Sequence, residues 1–168
     1  GELWHFFETQ LHYPITSINT NNFSGIHLGD YDVLIIPDGY YGSYFDESKL
    51  DTLKEFVKNG GKIIALANAL QIFSDNDSFS LKQKTQEQED TNNELLPYNM
   101  RERQSTNDFI IGSIFKTTLD TSHPLAFGYK NTYNSLKLSA DTYQFLDSGY
   151  NVGYINGTAQ NISGFAGK

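Results

Sequence analysis

The sequence predicts an α/β fold in which short buried strands alternate with helices, and two observations in residues 31–70 carry that prediction. Val33-Leu34-Ile35-Ile36 and Ile63-Ile64-Ala65-Leu66-Ala67 are apolar runs rich in β-branched residues, with no in/out alternation. That is the pattern of strands covered on both faces. One amphipathic segment lies between them, so the stretch reads as a βαβ unit with parallel strands. Pro37-Asp38-Gly39 closes the first run and Asn68 the second, at the carboxyl ends of strands where open α/β sheets place their ligands.

The elements follow in order. Leu3, Phe6, Phe7 and Leu11 lie on one helical stripe, with Glu2 in the first turn where the helix dipole favours an acid. Pro14 stops that helix and opens an extended run from Ile15 to Ile18, followed by a polar turn from Asn19 to Ser24. A doubly wound fold ordinarily begins on a strand, so a first strand is expected upstream of Gly1. Tyr40, Tyr41, Tyr44 and Phe45 form an aromatic loop that suits either stacking on a sugar or aromatic ligand or covering the sheet edge. Asp46 or Ser48 is expected to cap a helix whose buried stripe is Leu50, Leu53, Phe56 and Val57. Gly60 is placed as its left-handed C′ residue. Asn68 is then expected to cap a shorter helix carrying Leu70, Ile72 and Phe73.

Residues 74–107 change character. Gln, Glu, Asp, Asn, Ser and Lys dominate, with Phe79, Leu81, Leu95, Leu96, Tyr98 and Met100 as candidate anchors. This predicts a polar surface excursion, mobile around Gln83 to Asn93, within one domain spanning 1–168. Strand patterns return at Asp108–Leu119, near Leu136, at Tyr143–Leu146, Asn151–Ile155 and Ile162–Phe165. Asp120 to Gly128 reads as a turn followed by a compact apolar knot, and a further strand is expected beyond Lys168.

Composition narrows the functional classes. The 168 residues carry a net charge of -8 with no basic cluster, which argues against nucleic acid or an anionic membrane as partner. There is no cysteine, which excludes disulfides, thiolate metal sites and a cysteine nucleophile. No run approaches the roughly 20 apolar residues of a membrane span. The fragment also holds no secretory signal peptide.

Candidate site residues cluster at the two strand ends. The bend after the second run is the place of a nucleophile elbow, where a Cys or Ser projects beside helix amides that stabilise an oxyanion. Asn68 is read at that bend, and an amide cannot attack at neutral pH. It serves either as a helix cap or, with the helix N-terminus, as a contact for a polar ligand. Asp38 is a candidate acid, base or ligand anchor, or the acceptor of a local turn bond, and Gly39 is expected to permit an unusual turn. His5, Glu8 and His12 make an H-x-x-E pattern on the helical stripe that also carries the apolar face, and no metal site is expected there. Pro124 holds His123 extended, with its imidazole free to bond a backbone group. A catalytic histidine needs a nucleophile and an orienting acid, and no G-x-S-x-G context is present. G-x-G-x-x-G, Walker A and tandem-repeat patterns are absent too.

Asp32-Val33-Leu34-Ile35-Ile36-Pro37-Asp38-Gly39, followed by Gly60-Gly61-Lys62-Ile63-Ile64-Ala65-Leu66-Ala67, resembles the class I glutamine amidotransferase-like superfamily with its DJ-1/PfpI members. On that pattern Asn68 stands in the catalytic cysteine position, Ala69 where a histidine is frequent, and Leu70 in place of a small glycine. The resemblance therefore implies the scaffold without the chemistry. Gly1-Glu2-Leu3-Trp4-His5-Phe6-Phe7-Glu8, Tyr13-Pro14 and Ser122-His123-Pro124-Leu125 are similar to the amidotransferase-like domain that follows the peptidase in bacterial M14-type zinc carboxypeptidases. This closer resemblance implies a flavodoxin-like three-layer α/β/α sandwich with a mostly parallel sheet, here lacking edge or terminal strands. It also implies a secreted or periplasmic parent, with zinc confined to an upstream peptidase domain and no cofactor in this fragment.

The expected function is a non-catalytic accessory domain that packs on that peptidase. It would otherwise recognise a peptide or glycan through Asp38, Gly39, Tyr40, Tyr41, Asn68 and His123. The competing expectation is a hydrolase in which Asp38 and His123 activate a water. A purely structural spacer is the third.

Overall fold

Parallel strands cannot be joined by a tight turn, and the chain meets that constraint with a crossover helix. The computed structural model describes residues 1–84, 97, 110, 112–157 and 161–166, in two compact units, Gly1–Ser80 and Leu81–Lys168. Together they form an α/β mixture with small sheets.

In the first unit a short helix, α1 (Glu2–His5), runs into a π turn at Phe6–Gln10. Strand β1 (Val33–Ile36) pairs in parallel with β2 (Lys62–Ala65), Val33 opposite Lys62 and Ile36 opposite Ala65. Helix α2 (Glu47–Lys58) crosses between them. Asp46 caps it, its Oδ1 accepting from Lys49 N at 3.0 Å. At the other end Gly61 N donates to Phe56 O and Gly60 N to Val57 O, with Gly60 at φ 97. This is the Schellman arrangement that Gly60 was expected to permit. Leu53 is 0 % exposed, and with Phe23, Leu28, Ile36, Phe56, Ala69 and Phe73 it forms the core of this unit.

Several expectations fail here for local reasons. Ile15 to Ile18 makes no strand. None of Leu3, Phe6, Phe7 and Leu11 is buried, because the wider π turn breaks the 3.6-residue stripe. Val57 sits at the edge of the α2 stripe and is exposed. Strands β1 and β2 are not covered on both faces, since Val33 and Ile64, which share one face, are 44 % and 46 % exposed. Two strands and one crossover helix suffice for one covered face.

The second unit holds an antiparallel sheet, so the mostly parallel sheet is limited to the β1–β2 pair. Strand β3 (Gly112–Leu119) is central, paired along one edge with β4 (Thr132–Lys137). Its other edge takes β5 (Gly153–Tyr154) and β6 (Asn161–Phe165). The β3–β6 register shifts between Ile114 and Phe115. Gly164, at φ 86, faces the backbone of Gly112 so closely that a Cβ has no room. Ser113 and Thr117 on the buried face are satisfied, Ser113 Oγ by Ser163 O at 3.0 Å and Thr117 Oγ1 by Ser135 Oγ at 2.7 Å.

The expected strand at Tyr143–Leu146 is a single bridge between Gln83 and Tyr143. The expected apolar knot is inverted, with Ala126 buried and Leu125 and Phe127 79 % and 88 % exposed. A three-residue turn at Pro124–Ala126 has too little backbone to turn every side chain inward. Most of the polar excursion lies outside the described residues, as do its anchors Leu95, Leu96, Tyr98 and Met100 and the strand positions 108, 109 and 111.

Because Leu53 is fully enclosed, Leu53→Ala is expected to destabilise the first unit by about 2–5 kcal/mol, read from the shift of its transition in chemical denaturation.

Candidate functional site

Strand β1 delivers Asp38, two residues past its end, and strand β2 leads through Leu66 into a 3₁₀ helix at Ala67–Phe73. Parallel pairing sets both ends on the same side of the sheet. Asp38 Oδ1 accepts from Asn68 N at 3.1 Å and from Asn68 Nδ2 at 2.9 Å. The Asp38 bond is thus not local: the carboxylate reaches across 30 positions of chain to satisfy a first-turn N–H. Asn68 is not the cap of this helix. Leu66 holds the cap position and makes no side-chain bond there, while the Asp38 carboxylate does the capping from the neighbouring strand. A negative group at this end also agrees with the helix dipole.

The strained residue of the strand-to-helix turn is Ala67, at φ 48, one position before Asn68. A left-handed backbone at a non-glycine residue costs roughly 1–2 kcal/mol. No sequence signal marks it, because alanine has no preference for that conformation. The side chain at the bend is a methyl group, which supplies neither nucleophile nor base. Gly39, by contrast, is not left-handed, and a Cβ there would meet the Tyr41 ring at an ordinary 3.5 Å.

The aromatic loop divides its duties. Tyr41 OH donates to Pro37 O at 2.9 Å, and its ring meets Phe45 edge-on at 5.7 Å. Phe45 also packs against Phe23 and Tyr44, and Tyr44 OH donates to Thr20 O. These rings cover structure, whereas Tyr40 is 82 % exposed. Partial burial, and then the Asp38 carboxylate, raise the Tyr41 phenol above its ordinary value.

His123 belongs to the second unit. Its Nδ1 accepts from Leu125 N at 3.2 Å, which caps the Pro124–Ala126 turn and leaves the ring proton on Nε2. Its ring lies 4.9 Å from that of Tyr150. Beside it, Ser122 donates both Oγ (2.6 Å) and N (3.0 Å) to Asp120 Oδ1. Those bonds, the hydroxyl first, hold the Asp120 carboxyl below its ordinary value. Ser122 therefore serves the aspartate, not the imidazole. His12, at φ 52, stands beyond the helical residues that carry His5 and Glu8, which takes it off their stripe. Among the described residues no cluster of three or more His, Asp or Glu could hold a metal. No described helix is long and apolar enough to cross a membrane.

Three outcomes follow from this geometry. Ala67→Gly is expected to raise stability by about 1 kcal/mol through relief of the left-handed strain, and Asp38→Ala to lower it by about 1 kcal/mol through loss of the Asn68 acceptor, both measured by denaturant midpoint. Tyr41 is expected to ionise above ordinary tyrosines. Its contribution to stability is present below the ordinary phenol value and is lost as pH rises through the raised one. Ultraviolet titration should lose this late phase in Tyr41→Phe and keep most of it in Asp38→Asn, since burial is the larger cause. No family model, curated protein or solved structure matches this chain.

Proposed function

We propose that this chain is a non-catalytic, amidotransferase-like accessory domain of a secreted or periplasmic M14-type zinc carboxypeptidase. In this reading its parent fold is a flavodoxin-like three-layer sandwich, and zinc belongs to the upstream peptidase domain. One observation carries the proposal: the Asp38 carboxylate already occupies the first-turn N–H of Asn68, beside a bend whose residue is alanine. The donor that an elbow would offer to a substrate oxyanion is taken by the protein's own anion.

What remains open at the strand ends is acceptor-rich. Asp38 Oδ2 and Asn68 Oδ1 accept no hydrogen bond among the described residues, and Tyr40 presents a free ring. Such a surface selects donors, namely sugar hydroxyls or peptide N–H groups, and disfavours anions. The ligand of this reading is therefore a glycan or an extended peptide that stacks on Tyr40 and donates to Asp38 and Asn68.

Titration with neutral oligosaccharides and short peptides, followed by backbone amide shifts, is expected to perturb residues around Asp38, Tyr40 and Asn68. Tyr40→Ala should weaken binding about tenfold, equivalent to about 1.4 kcal/mol. Binding unchanged in Asn68→Ala would remove ligand recognition and leave packing alone. Turnover of a peptide, amide or ester substrate that disappears in Asp38→Asn or His123→Ala would replace the whole reading with the hydrolase.

A further inference from the structure

The sequence contains two Asn-Gly dipeptides, Asn59-Gly60 and Asn156-Gly157, and the fold treats them oppositely. In such a pair the following backbone nitrogen, once it has lost its proton, can attack the asparagine Cγ. Glycine favours this because no Cβ hinders the approach. The Cγ–Nδ2 bond breaks, ammonia leaves and a succinimide ring forms. Water then opens either ring carbonyl, giving aspartate or isoaspartate and one new negative charge.

Ring closure needs a free N–H and rotation of the asparagine backbone. At the end of α2 neither is available. Asn59 N donates to Glu55 O, Gly60 N to Val57 O and Gly61 N to Phe56 O, each at 3.0 Å. The nitrogen that would attack is engaged, and the bonds on either side resist rotation. Asn156 and Gly157 lie just past β5 and both are exposed, with Gly157 in a turn. Among the described residues neither makes a hydrogen bond through backbone or side chain.

We infer that Asn156 is a site of spontaneous deamidation and isoaspartate formation, and that the Schellman end of α2 protects Asn59 from the same reaction. The modification places a new carboxylate, and in isoaspartate an extra backbone methylene as well, two residues beyond the β5 contact with Thr118 and Leu119.

The test is incubation of the folded chain in mildly alkaline buffer, with peptide mapping of both sites over time. Asn156 is expected to convert faster than Asn59 by on the order of tenfold or more, the protection given by a local opening equilibrium. In concentrated urea the two rates should converge. In the folded chain Gly157→Ala should slow conversion at 156 and leave 59 unchanged. Equal rates in the folded chain, earlier conversion of Asn59, or a Gly157→Ala chain that converts as fast as before would each overturn the inference.

Discussion

The bonds that Asp38 accepts from Asn68 are the constraint on which residues 31–73 depend. Strands β1 and β2 share only four residue pairs. Their ladder is extended by Lys62 N to Asp32 O at one end and Leu66 N to Ile36 O at the other. Beyond that point the two chains diverge, one into the aromatic loop and one into a 3₁₀ turn. The carboxylate closes the gap with two donors from a single residue and satisfies a helix N–H that would otherwise need water. It also fixes the environment of Tyr41, whose phenol sits between partial burial and a neighbouring negative charge.

Strain and satisfaction meet at the same place. Ala67 is held left-handed between an extended Leu66 and the first-turn amide that Asp38 binds. Strained residues of this kind persist where their surroundings over-determine them, and they gather at functional sites. Here the strained residue is Ala67, whose side chain is a methyl group. Next to it the Asp38 carboxylate and the Asn68 amide are bonded to each other.

The second unit follows a different logic. Its central strand is long enough to take β4 on one edge and two short strands on the other, and its buried face includes hydroxyls that bond to neighbouring strands. Gly164 lets β6 approach β3 across an irregular register. His123 works as a backbone acceptor that caps the turn displaying Leu125 and Phe127. Its Nδ1 is committed to that turn.

The sequence by itself determined the elements whose cause is local. Asp46 and Gly60 bracket α2 because a capping carboxylate and a left-handed glycine act within a few residues. The runs at Val33–Ile36 and Lys62–Ala65 are strands because their composition leaves little else. The turn at His123-Pro124 was legible for the same reason. Tertiary structure alone decided the rest. The Asp38–Asn68 bond joins residues 30 positions apart, and only parallel pairing brings them together. The bend fell on Ala67, not Asn68, because strand length and helix start, set by pairing with β1, choose which residue turns. The unburied N-terminal stripe and the exposed Val33, Ile64 and Phe127 carry the same lesson. An apolar pattern states which residues gain by burial, but only the packing of other elements supplies the surface that buries them.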